Sequence, residues 1–99
     1  MVIGTLALDL LLGDVHSLKE KRSIVRPIVA ELRRRFEVAA AETGDLDLYR
    51  RTEVAVAAVA STHRHVVEVL ERCEHFVAGR GEVELLSARH RVLDDDDLN

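Results

Sequence analysis

Within seven residues, His16-Ser17-Leu18-Lys19-Glu20-Lys21-Arg22 brings together a hydroxyl, a carboxylate, an imidazole and three cations. Ser17 and Glu20 stand three apart, the spacing of a capping box. The hydroxyl accepts from a free backbone N–H at the start of a helix, and the carboxylate reaches back to another. Capping is worth about 1 kcal/mol and accounts for both residues without catalysis. His16 is suited to touching a phosphate, or else to fixing the turn into the helix. Further on, Lys19, Arg22, Arg26 and Arg33 fall within an arc of about 60° at 100° per residue, and Arg33-Arg34-Arg35 extends the row. A line of cations beside a positively polarised helix end suits a phosphate backbone. His16, Ser17, Lys19, Lys21, Arg22, Arg26 and Arg33 are therefore the expected anion- or RNA-binding residues. The alternative is the solvated face of an ordinary amphipathic helix.

Other constellations are weaker. His63 and His65 are two apart and point to different sides of a helix, unlike an i, i+4 ligand pair. Cys73 and His75 fail in the same way, so no metal site is expected. Cys73 falls on an apolar helix side and reads as a small buried hydrophobe. No glycine-rich phosphate loop, Ser/His/Asp set or carboxylate pair is present. The expectation is a protein that is not an enzyme and carries no cofactor.

These residues sit on a regular alternation of elements. Met1–Leu12 alternates with Val2, Leu6, Leu8, Leu10 and Leu12 on one face, the period of a half-buried strand. From Ser17 a helix places Leu18, Ile24, Val25, Ile28, Val29, Leu32 and Phe36 on one side. Pro27 falls on its solvent side, where a bend is tolerable. Glu37–Glu42 is a short edge-strand candidate, and Thr43-Gly44-Asp45 is turn chemistry. Leu46–Arg51 reads as a loop or one helical turn, and Thr52–Ala60 as a second alternating strand. Ser61 is the expected cap of a second helix bearing Val66, Val67, Leu70, Cys73, Phe76 and Val77, stopped by Gly79-Arg80-Gly81. Glu82–Val92 is the last strand, with Val83 and Leu85 opposite Leu86, Ala88 and Val92.

The order β-α-β-β-α-β with right-handed crossovers predicts an α+β, ferredoxin-like domain: an antiparallel sheet with two helices on one face. Thr5, Ala7, Asp9, Ala55, Ala57 and Val59 then line the open face, and their small size suits packing against a second copy. RNA-recognition domains of this shape carry aromatics on the central strands. The two Phe and one Tyr of this chain fall in none of those strands.

Size and composition narrow the class. Ninety-nine residues hold one domain and one core; the expected division is a domain over 1–93 and an acidic, disordered tail over 94–99. Net charge is −4, all of it attributable to Asp94–Asp97. By contrast, Ser17 to Phe36 holds seven basic residues against two acidic. No apolar run reaches the roughly 20 residues of a membrane span, and the start lacks the pattern of a signal peptide. With one cysteine and no internal disulfide, the expected location is cytoplasmic.

The run "HSLKEKR" after the first strand resembles the bacterial YlxP-type family, as do "AE" then "RR" around Tyr49 and "STHRHVVEVLER" at the second helix. The resemblance covers nearly the whole chain and implies a ferredoxin-like fold of unknown function. It also implies a ribosomal connection, because genes of that family commonly lie beside those for ribosome maturation and translation factors. Pro27 and the Ala-rich second strand depart from the family's pattern. Two functional expectations follow. One is an accessory protein that binds RNA or ribosomal particles through its first helix. The other is a homodimeric interaction or small-ligand sensor module that uses the open sheet face.

Overall fold

Alternation in the first residues builds β1 (Val2–Leu12), whose even-numbered side chains all face inward. Leu6, Leu8, Leu10 and Leu12 are essentially inaccessible, and this row is the spine of the core. The computed structural model describes residues 1–99.

Ser17 caps α1 (Leu18–Phe36) by accepting from the Glu20 N–H at 3.1 Å. The Glu20 carboxylate accepts from the N–H of His16 rather than of Ser17, so the reciprocal half of the expected box is shifted one residue outward. Helix α1 runs unbroken through Pro27, which is exposed. Its end is fixed by Glu37, left-handed at φ 53° and ψ 46°, which turns the chain into β2 (Ala39–Gly44). A loop leads to β3 (Arg51–Ala60). Helix α2 (His63–Ala78) is capped by Thr62, whose hydroxyl accepts from the His65 N–H, rather than by Ser61 as expected. Strand β4 (Val83–Leu93) completes the sheet.

The four strands form one antiparallel sheet in the order β2-β3-β1-β4, and the architecture is α+β. Side chains from α1 and α2 join alternate side chains of the strands in a single apolar cluster, so both helices cover the same face. Gly4 permits this approach on β1: a Cβ there would lie 2.2 Å from Val66 Cγ1 and 2.7 Å from Leu70 Cδ1. Cys73 is fully buried in the cluster, and burial pushes its thiol up to about 11.

The facing of β4 also differs from expectation. In β4 the register shifts between Asp9 and Leu10, so Leu86 is an extra residue opposite β1. The bulge restores phase, and Val83, Leu85, Ala88 and Val92 all belong to the core side while Leu86 is exposed. The acidic tail carries a helical turn, α3 (Asp95–Leu98). Asp94 and Asp97 close a capping box there, and the Met1 ammonium pairs with Asp95 at 2.9 Å. Carboxylates at a helix start are favoured by the N–H groups they face. No helix is long and apolar enough to cross a membrane.

Candidate nucleic-acid interface

Helix α1 presents one side to the core and the other to solvent, and its cations divide between the two. Lys19, Arg22, Arg26 and Arg33 are all exposed. None has a carboxylate within ion-pairing distance, in contrast to Arg34, Arg64, Arg80 and Arg89, which are paired. Lys19, Arg22 and Arg26 line a shallow groove of about 350 Å³ with Ser23 and Pro27. The pyrrolidine ring of Pro27 leaves a low, donor-free spot in the middle of the row.

Arg33 stands at the far end, where its Nε donates to the Ala40 carbonyl at 2.9 Å and ties α1 to edge strand β2. Arg34 and Arg35 do not prolong the row. They turn to Glu31, with Arg34 at 2.6 Å, and that hydrogen bond holds the Glu31 carboxyl below its ordinary value.

Lys21 is a correction to the expected site. Its side chain is 2% exposed, and its Nζ donates to the Asp45 carbonyl at 2.6 Å and pairs with Glu42 at 3.1 Å. The hydroxyl of Thr52, fully buried on β3, donates to the same carboxylate at 2.6 Å. A buried cation with these partners binds the turn after β2 to α1 and offers no charge to a ligand. The spacing held the signal: Lys21, Val25, Ile28 and Leu32 recur at the i, i+4, i+7, i+11 positions of the apolar stripe.

The start of α1 is crowded on its outer side. His16 is exposed and lies 3.0 Å from Asp14. Ser17 is occupied with its cap. Beside them the loop between β2 and β3 is anchored at three points. Lys21 holds the Asp45 carbonyl, the Leu12 N–H donates to the Arg50 carbonyl at 2.8 Å, and Arg50 Nε donates to the Gly13 carbonyl at 2.8 Å. Between these anchors Leu46, Leu48 and Tyr49 are about half exposed, an apolar patch that the polarity of the surrounding sequence does not advertise.

On the other side of the sheet, the register aligns Thr5 with Ala57, Ala7 with Ala55 and Asp9 with Glu53. The six expected open-face residues therefore do share that face, with Val59 opposite Ile3 and 68% exposed. Ala39 and Ala41 of β2 continue the small-residue surface. At one end a polar chain crosses all four strands. Thr43 donates to Glu53 at 2.6 Å, Arg89 bridges Glu53 at 2.8 Å and Asp9 at 3.7 Å, and Ser87 donates to Asp9 at 2.6 Å. The one cation at that end is shared between two carboxylates.

No three His, Cys, Asp or Glu side chains lie together in a group able to hold a metal ion. His90 and Glu74 form an isolated hydrogen-bonded pair between β4 and α2.

This arrangement belongs to a class defined by sequence: residues 3–90 match the family described as a protein of unknown function, DUF503. The chain belongs to that family. It is 31% identical over 83 residues to the uncharacterized protein YlxP of Bacillus subtilis (strain 168), a match that covers 84% of this chain and 90% of that one.

Proposed function

We propose that this protein is a non-catalytic accessory protein that binds RNA, free or in ribosomal particles, through the phosphate contacts of its first helix. The observation that carries the reading is the row Lys19, Arg22, Arg26 and Arg33, exposed on one side of α1 and without a single carboxylate partner. Arg51, Arg72 and Arg91 are also unpaired but lie apart on β3, α2 and β4, whereas Lys19, Arg22 and Arg26 gather free cationic charge on one helix face for a polyanion. The sheet order β2-β3-β1-β4 supports reading the scaffold as ferredoxin-like. A buried, protonated Cys73 and the absence of a nucleophile–base pair around the row favour binding over catalysis.

Fluorescence anisotropy of a labelled stem-loop RNA tests the reading. The variant Lys19→Gln/Arg22→Gln/Arg26→Gln leaves Arg33, with its structural bond to Ala40, in place. Each phosphate contact removed lowers the slope of log K against log salt by about 0.7–0.9. The triple variant is expected to lose about two units of slope and to bind weakly at all salt concentrations. An unaltered slope and affinity would remove α1 as the interface.

A second reading is carried by the open sheet face, where Ala39, Ala41, Ala55, Ala57 and Val59 form an apolar surface bounded by an ion-paired polar end and by Arg91 opposite Thr5. Such a surface accepts a second copy of this chain related by a two-fold axis. Light scattering is expected to give twice the chain mass, falling to one chain for Ala57→Arg; a monomer at tens of micromolar wild-type protein would end this reading.

A further inference from the structure

Tyr49 is an aromatic ring held outside the core with nothing of this chain to hold it for. It is 49% exposed, its hydroxyl makes no hydrogen bond, and it pairs with neither phenylalanine, which meet each other edge to face instead. The loop that carries it is nonetheless fixed. The Leu48 N–H donates to the Asp45 carbonyl at 3.1 Å, the Asp45 carbonyl takes the buried Lys21, and Arg50 is tied to β1 and the residue after it by both its carbonyl and its Nε. An aromatic presented on a pre-anchored loop needs no ordering when a partner arrives.

Its surroundings define the partner. Tyr49 lines an open groove of about 520 Å³ with Val15, Asp47, Leu48, Arg50 and Arg51. Arg51 is exposed without an ion-pair partner, and the terminal nitrogens of Arg50 are free of carboxylates. Val15 is two residues before the cap of α1, so the groove lies beside the start of that helix, while Lys19, Arg22 and Arg26 line a separate groove. A flat ring with flanking guanidiniums is an arrangement that holds an unpaired nucleotide. The ring stacks on the base, which every base permits, and the cations take its phosphates. Asp47, the one carboxylate in the groove, is available to accept from an exocyclic amino group of the base.

We infer that the Tyr49 groove is a base-stacking site that holds one unpaired nucleotide of a single-stranded RNA segment, with Arg50 and Arg51 taking its phosphates. The inference rests on the RNA reading of α1 and adds to it what the helix cannot supply: a preference for unpaired over paired RNA.

The chain contains one tyrosine and no tryptophan, so its intrinsic emission reports Tyr49 alone. The probes are a 12-nucleotide single-stranded RNA, an abasic phosphodiester of equal length, and a 12-base-pair RNA duplex. Tyrosine emission is expected to be quenched by the single strand and unaffected by the abasic strand or the duplex. Tyr49→Ala should weaken single-strand binding about 5- to 150-fold, the range for losing one stacked base, with an unchanged salt slope. Tyr49→Phe keeps the ring and should bind as wild type. Tight single-strand binding with unaltered emission, and equal affinity for Tyr49→Ala, would overturn the inference while leaving the α1 reading in place. Equal affinity for the abasic strand would also overturn it, and would leave Leu46, Leu48 and Tyr49 as a patch for a protein partner. Failure of all three probes to bind would overturn both readings.

Discussion

Replacing Glu42 by alanine removes the only carboxylate that compensates the ammonium of Lys21. That ammonium is nearly inaccessible, 3.1 Å from the acid and 2.6 Å from the Asp45 carbonyl. Breaking a buried pair by deleting one partner costs about 3–5 kcal/mol, because a charge is left in a poorly polarisable site. Glu42 itself is 24% exposed and Lys21 keeps one acceptor, so the lower end of that range applies. Thr52 also loses its acceptor inside the core, adding about 1 kcal/mol. Glu42→Ala should therefore destabilise by about 4 kcal/mol. Lys21→Met removes the buried charge itself and leaves Glu42 with Thr52 and some solvent, at a cost of about 1 kcal/mol. The double variant Lys21→Met/Glu42→Gln should lie close to wild type, since the amide still accepts from Thr52. The assay is urea denaturation of the variants at a common m-value, analysed as a double-mutant cycle. A cost below about 1 kcal/mol for Glu42→Ala, or coupling near zero, would mean that the Lys21 ammonium reaches water. Lys21 would then rejoin the surface row, and the division of cations drawn above would be wrong.

Two other outcomes follow from the packing. Gly4→Ala places a methyl against Val66, whose branched side chain has one good rotamer in a helix, and should cost about 1–3 kcal/mol; adding Val66→Ala should recover part of it, and thermal melts of both variants decide. The Cys73 thiol, raised from 9.0 to about 11 by burial, stays protonated in the native state while the unfolded chain ionises. Its contribution to stability is complete below about pH 9 and is lost as pH rises toward 11. Cys73→Ala should flatten the decline of stability across that window, and an equal decline in both proteins would contradict the assigned burial.

The sequence made the fold legible wherever periodicity acted alone. The alternation of β1 and β3 and the apolar stripe of each helix placed the core of those elements, although Leu18 and Val67 fall outside the cluster and Val69, not named from the sequence, packs against it. It misled at β4, where Val83 and Leu85 fall out of phase with Ala88 and Val92: the inversion reads as two faces of a regular strand, whereas Leu86 is the extra residue of a bulge. The second helix cap moved by one residue because Ser61 and Thr62 are equally able caps and only backbone geometry chooses between them. The site was legible in its exposed part. Lys21 was misplaced because its charge outweighed its position on the apolar stripe. Glu42, its partner, was unreadable because β2 and α1 meet only in the folded chain. Tyr49 and its loop gave no periodic signal at all, and only the three anchors that fix the loop mark it as a surface.

Sedimentation of cell lysate on a density gradient at low salt tests the central claim most directly. The wild-type protein should migrate with ribosomal particles and leave them as salt is raised, while Lys19→Gln/Arg22→Gln/Arg26→Gln should remain at the top of the gradient with an unchanged melting temperature. A wild-type protein that runs free at low salt, or a triple variant that still travels with the particles, would contradict the claim that the free cations of α1 are a binding surface for RNA.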